Sequence, residues 1–402
     1  MSQAPTLDVR AVRAQFPALA EGTAHFDAPG GTQVPFAVVD AVAASLRSAV
    51  SNRGGPFPSS ARAEQAVADA RSAVADLVGG LPDGVVLGQS MTALTYVLAG
   101  ALAKRWGPGD EVVVTRLDHD ANVRPWVQAA ERAGAAVRWL DVDPASCLLG
   151  DHTAVLSERT RLVAVTGASN VVGTRPDVRA VTDAAHEVGA LAYVDGVHLT
   201  PHVPVDVAAL GADFYALSLY KLSGPHLGAV VADPALLEGL HPDKLLPSSD
   251  AVPARFEHGT PPFELHAGVV AAVEHLAGLV PGGGARRERL LRSMAAVQAH
   301  EEALLDRLVA GLEGVEGVTT YGAALLRTPT VALRVAGRSP REVAEALAAR
   351  GVAVGDGDFY ARELVRALGL HGDGGVVRAG VVHYTSGDDV DRLLAGVAAL
   401  AA

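Results

Sequence analysis

The sequence predicts an α/β fold, with a large domain built on a mostly parallel sheet and a smaller α+β domain at the C-terminus. Three observations predict it. Between Gly84 and Ala232 short β-branched runs alternate with longer amphipathic stretches of helical period, which implies right-handed crossovers and a sheet covered on both faces. The residues that follow these runs are unusually polar, as expected where ligands sit beyond the carboxyl ends of parallel strands. From Gly317 onward the alternation gives way to strands and helices that fit a compact α+β layer.

Taken in order, the expected strands of the large domain are 85–87, 111–115, 136–140, 162–166, 191–194 and 214–217. The segments between them, including 93–103, 125–133 and 177–188, place apolar residues at helical spacing. A Pro/Gly cluster at 280–284 precedes the charged, helix-periodic stretch 285–312, read as a long helix joining two domains. Beyond it, 318–321 and 331–335 read as strands and 340–349 as a helix. The chain closes with a strand at 376–384 and a helix at 387–401 capped near Ser386. The expected division is a large domain over 22–280 and a small domain over 281–402, with 1–21 packing near the latter.

Composition narrows the function. The 402 residues carry 33 basic and 45 acidic side chains, a net charge of −12, which argues against a nucleic-acid groove or an anionic membrane as partner. Apolar residues make up 49%, yet Gly, Arg or Asp interrupts every run before it reaches the roughly 20 residues of a membrane span. Asp8, Arg10 and Arg13 occupy the place where a secretory signal would carry its apolar core, so a cytoplasmic location is expected. With Cys147 as the sole cysteine, one chain can form neither a disulfide nor a thiolate-built metal centre.

One lysine stands out. Among 33 basic residues only Lys104, Lys221 and Lys244 are lysines, so arginine is the default solvated cation here. Lys104 and Lys244 lie in positions that suit an exposed charge. Lys221 instead follows a buried strand, in Ser218-Leu219-Tyr220-Lys221, where an amine is costly unless used; a desolvated lysine becomes a nucleophile toward carbonyls, and arginine cannot. Asp195 ends the preceding strand, so a carboxylate and an amine would face one crevice, the pair that pyridoxal 5'-phosphate requires for its aldehyde and its ring nitrogen. His198 follows on the same loop and is expected to brace Asp195. A metal site from Asp195, His198 and His202 is disfavoured because Pro201 breaks the helical i, i+4 alignment of the two histidines; no metal is expected. A phosphate cup is read at Gly88-Gln89-Ser90-Met91-Thr92, where a strand opens into a helix and N–H groups, the helix dipole and the Ser90 hydroxyl converge.

These residues resemble fold-type I pyridoxal-phosphate enzymes of the class V aminotransferase superfamily, in its cysteine desulfurase-like branch. The resemblance spans nearly the whole chain. It runs through His25 to Thr32, Ser51 to Gly55, Asp118 to Asn122 with Pro125-Trp126, and Ser169 to Thr174. It continues with the Asp195 and Lys221 segments, Arg255 to Thr260, Gly357 to Ala361, Gly375 to Arg378, and His383-Tyr384. It implies that Lys221 is the Schiff-base lysine and shuttles the α-proton, that Asp195 pairs with the ring nitrogen, that His119 stacks on the ring and that Asn170 bonds its phenolic oxygen. Gln89, Ser90, Ser218 and Tyr220 would hold the phosphate, with Gly259 and Thr260 reaching it from a partner subunit, so a homodimer is implied. Arg378 would grip the substrate α-carboxylate, with Asn122 nearby in the substrate site.

The pattern fails at one place. Relatives that pass sulfur on as a persulfide carry a nucleophilic cysteine in the small domain ahead of this arginine, and between Gly337 and Arg378 there is none. Acids and aromatics of 355–360 could line the substrate pocket instead. The expectation is a desulfurase-like lyase acting on a sulfur-containing amino acid, with an aminotransferase or an epimerase as the alternatives. A cofactor-binding scaffold without catalysis is argued against by the joint retention of Lys221, Asp195, His119 and Arg378.

Overall fold

The computed structural model describes residues 6–401. Its strands are, in chain order, β1 (Ala24–His25), β2 (Val85–Gly88), β3 (Glu111–Thr115), β4 (Ala136–Leu140), β5 (Thr160–Thr166), β6 (Leu191–Asp195), β7 (Phe214–Ser218), β8 (Gly228–Ala232), β9 (Val318–Tyr321), β10 (Thr330–Val335), β11 (Val352–Ala353), β12 (Gly355–Gly357) and β13 (Val376–Gly380). The main sheet has the order β2-β8-β7-β6-β5-β3-β4. Its interior strands are buried along their length, which is why they read as continuous apolar runs rather than alternating ones. Strands β4, β3, β5, β6 and β7 run parallel to one another, whereas β8 runs against both β7 and β2.

Strand β8 was not among the expected strands. An antiparallel neighbour needs no crossover helix, so β8 follows β7 across the loop 219–227 and escapes a reading built on strand-helix alternation. The expected strand 376–384 is also shorter, ending at Gly380. There Val381 N–H turns to the carbonyl of Pro329, and Thr385 Oγ1 accepts from Val382 N–H to close a turn.

A second, antiparallel sheet, β12-β13-β10-β9, packs with the helices Pro340–Ala348 and Gly387–Ala401 around Leu333, Val343, Leu347, Val377, Leu393 and Val397. The helix Arg286–Glu313 serves both units. Leu290, Met294 and Val297 belong to the core of the main sheet, and Leu304, Leu308 and Leu312, at i, i+4 spacing, to the core of the second. Truncating the fully buried Leu308 to Ala should cost about 2–5 kcal/mol.

The N-terminal part is interleaved with the C-terminal layer. Parallel strand β1 pairs with β11, and Ala24 and Phe26 sit in the second core, although they lie within 22–280. Arg13 donates to the Tyr384 carbonyl at 2.7 Å and to Asp389 at 2.6 Å; residues 1–5 of the expected N-terminal segment lie outside the described residues. Among the described residues no helix is long and apolar enough to cross a membrane.

Candidate active site

The carboxyl ends of β3, β5, β6 and β7 open on one cavity, lined among others by His119, Asn170, Asp195 and Lys221. Register explains the convergence: Thr166 stands beside Asp195, and Asp195 beside Ala216, so the loops that follow leave the sheet at one level. The fourth wall is the start of the helix Met91–Ala103, where Ser90 is the N-cap and its Oγ accepts from Ala93 N–H at 3.1 Å. That helix start lies hard against β8. A Cβ on Gly228 would fall 2.1 Å from Met91 N, so only glycine lets the strand pass beneath the helix N-terminus.

Lys221 is 8% exposed and makes no ion pair among the described residues. Burial and the charge of Arg378 lower its pKa to about 8, with Asp195 pulling the other way. Burial likewise raises the Asp195 carboxyl to about 6, while the Val197 N–H, bonded to Oδ1 at 2.9 Å, and Lys221 limit the rise. Among the described residues no donor serves its Oδ2. His119, at the end of β3, is held neutral, its pKa pushed down to about 3 by burial and by Lys221 and Arg378. Its Nδ1 accepts the Ala121 N–H at 3.0 Å, which leaves the ring proton on Nε2.

The second sheet delivers the cationic wall. Arg378, on β13, is 5% exposed; its guanidinium carbon lies 3.9 Å from the centre of the Phe359 ring, and Nη1 donates to the Asn170 carbonyl at 2.9 Å. Phe359 and Tyr360 both have positive φ, 52° and 58°, a region bulky residues avoid. Their carbonyls are held from the other side, Phe359 O by Asn170 Nδ2 at 2.9 Å and Tyr360 O by Asp120 N–H at 2.7 Å. The Tyr360 ring lies 5.4 Å from that of His119.

Lys221, Asp195, His119, Asn170, Ser90, Ser218 and Tyr220 all line the cavity, and Arg378 lines the wider space that continues from it. Three expectations are corrected. His198 lines the cavity, but its Nε2 pairs with Thr330 Oγ1 at 2.9 Å, on β10, rather than bracing Asp195. Asn122 faces no substrate space: fully buried, it donates to Asp118 Oδ1 at 2.7 Å and accepts from Trp126 Nε1 at 3.1 Å. It braces a buried acid, Asp118, whose pKa burial raises to about 8. Gln89 does not line the cavity; with Gly259 and Thr260 it lines a separate one that Lys221 does not. Two residues of the wider space were not anticipated. Tyr96 lies one helical turn after Thr92, and Arg124 is four residues after Asp120, with which it pairs at 3.1 Å; those intervals were the signal for both.

The residues present fit pyridoxal 5'-phosphate. A buried amine, a carboxylate with a free oxygen, an asparagine side chain, and a helix N-terminus with its hydroxyl cap surround one cavity. They match an aldehyde, a ring nitrogen, a phenolic oxygen and a phosphate.

Comparison with known proteins agrees. The model of the family "Aminotransferase class-V" matches residues 24–393. An uncharacterized protein of Mycobacterium tuberculosis is 37% identical over 98% of this chain and 99% of its own length. A protein of Pseudomonas aeruginosa named "probable cysteine desulfurase" is 34% identical over 94% of this chain and 95% of its own. Among solved structures, the cysteine desulfurase CsdA of Escherichia coli superposes with a TM-score of 0.84 at 28% identity, covering 98% of both chains.

Proposed function

The chain belongs to the class V aminotransferase family of pyridoxal-phosphate enzymes, and from that premise we propose a desulfurase-like lyase that breaks a carbon–sulfur bond of an amino acid and lets the sulfur leave as sulfide or thiol. One observation carries this reading. Lys221, Asp195 and Arg378 converge, while the only cysteine, Cys147, is fully buried in the cluster of Leu117, Val171 and Leu364 and lines neither cavity. Burial raises its thiol pKa, which suppresses the thiolate that a sulfur carrier needs.

When bound, pyridoxal phosphate supplies an electron sink for negative charge at the substrate Cα. The chain's residues do the rest. Arg378 offers paired N–H groups to the α-carboxylate and fixes which Cα bond faces the reacting groups. With a pKa of about 8, the Lys221 amine takes the α-proton at Nζ and can return it. Asp195 would hold the positively charged ring nitrogen of the cofactor. Neutral His119 presents an uncharged ring face to the cofactor. The Cβ–S bond then breaks with its electron pair on sulfur, which takes a proton; water completes the balance to pyruvate and ammonia. No oxidant, reductant or protein thiol is consumed.

The test is a panel of cysteine and cystathionine, assayed for sulfide or thiol, pyruvate, alanine and exchange of the α-hydrogen. Equal amounts of pyruvate and released sulfur are expected. Alanine without pyruvate, turnover only with keto-acid acceptors, or α-hydrogen exchange without C–S cleavage would overturn the lyase reading, the last two in favour of an aminotransferase or an epimerase.

We further infer a cytoplasmic homodimer with a large domain over 22–280 and a small one over 281–402. The net charge of −12 and the single cysteine support the location. The dimer is supported by the separation of Gly259 and Thr260 from Lys221 within one chain, and by Phe36, Val39 and Leu46, exposed along one helix. Light scattering should return twice the chain mass, and dissociation should release cofactor; tight retention by a monomer would contradict it.

A further inference from the structure

Beyond the cofactor cavity, and sharing His119, Asn170, Tyr220 and Lys221 with it, lies a space of about 610 Å³. That exceeds what binding a compact amino acid requires and falls in the middle of the range of pockets that enclose drug-sized ligands. Its wall is aromatic. Tyr96 and Tyr360 remain 41% and 72% exposed there, and large rings left open at the mouth of a cavity mark contact surface awaiting a ligand. The wall is also fixed, because the strained Phe359-Tyr360 turn is anchored through both carbonyls to Asn170 and Asp120. Backbone held in an unfavourable region beside a site is a sign of functional use. Arg124 shares this wall and touches Asp120 through a single nitrogen, leaving a flat cationic face.

Resting on the lyase reading, we propose that the preferred substrate is an S-substituted cysteine whose extended S-substituent carries a ring, and that free cysteine is a poor substrate. Arg378 anchors the α-carboxylate, and the ring of the substituent lies among Tyr96, Tyr360 and Arg124. The thioether, plus one water, yields a thiol, pyruvate and ammonium: the Cβ–S bond breaks, sulfur keeps the pair and gains a proton, and no electron acceptor is involved.

The experiment uses the holoenzyme with S-benzyl-L-cysteine and L-cysteine, measuring kcat/KM for pyruvate and, separately, dissociation constants by titrating the visible absorption of the protein. S-benzyl-L-cysteine should be favoured at least tenfold in both, and Tyr96→Ala should reduce that preference about tenfold. Equal or better handling of cysteine, or a preference that Tyr96→Ala leaves unchanged, would overturn the proposal. If the benzyl compound binds tenfold tighter yet neither compound gives pyruvate, the substrate class stands and the lyase reading falls. Equal binding with no pyruvate removes both.

Discussion

The guanidinium of Arg378 stacks on the ring of Phe359, 3.9 Å from its centre, so the group proposed to meet the substrate carboxylate is oriented by a residue carrying no charge. A desolvated cation–π contact contributes about 2 kcal/mol. Phe359→Leu should therefore raise KM for the amino acid roughly ten- to thirty-fold with kcat much less affected. Steady-state kinetics checks it; a loss confined to kcat would place the role of Phe359 elsewhere.

Lys221→Ala should abolish turnover and remove the adduct that borohydride fixes in the native enzyme. Mass spectrometry after reduction reads this directly. A cofactor still fixed to the variant would mean that another amine is the anchor.

Cys147→Ala should leave kcat/KM within about twofold, since the thiol is buried away from both cavities and small core changes act on stability rather than on the site. A hundred-fold loss, in a variant that melts normally, would restore a sulfur-carrying role.

Acid should destabilise the protein. His202, His266, His275 and His383 are buried and held neutral, His202 near pH 3 and His266 and His275 near 4, so each gains a proton on unfolding once the pH is below its ordinary value of 6.5. Burial acts oppositely on Asp118, raised to about 8, and on Glu301, which bonds His202 at 2.8 Å. These two keep a proton in the fold and release it on unfolding. His119, His198 and His300 act in the same sense as these four histidines, and Asp195, raised to about 6, in the same sense as the two acids. The histidines prevail, so the unfolded chain binds more protons between about pH 4.5 and 6.5, and stability falls as pH drops through that window by a few kcal/mol per pH unit. Above 6.5 only the two acids count, and the slope reverses. Melting temperatures across pH 5 to 8 should peak near 6.5; a melting temperature that keeps increasing as the pH is lowered to 5 would refute the assignment.

Gly228→Ala drives a methyl group into the backbone at Ser90 and Met91. The expected result is a loss of about 3 kcal/mol or more in stability together with weaker retention of cofactor. Thermal melts and cofactor release on gel filtration test it. Normal retention would dissociate that helix start from phosphate binding.

Much of this could be read in the chain beforehand, for definite reasons. Strands β3 and β4 were placed to the residue because β-branched runs flanked by amphipathic helices leave few alternatives. Lys221 and Asp195 were legible because strand ends of a parallel sheet share one face, and a buried lysine, one of only three in an arginine-rich chain, is informative. Side-chain partners were less legible. Asn122 and His198 have suitable chemistry, yet their bonds go to Asp118, Trp126 and Thr330, choices set by packing between distant segments. Tyr96 and Arg124 went unnoticed because each stands four residues beyond a motif residue, Thr92 and Asp120, rather than inside the motif, and the fold turns both toward the same void.

Finally, the pairing of Ala24 with Val352 bears on biosynthesis. A ribosome releases the N-terminal half of this molecule long before the strand that β1 joins, so no early fragment can complete its own architecture, and contacts of such sequence separation form slowly. Arg378 emerges later still. Vitamin capture with a finished substrate mouth is thus a late event in the life of the nascent chain, and chaperone demand should concentrate in the interval before it.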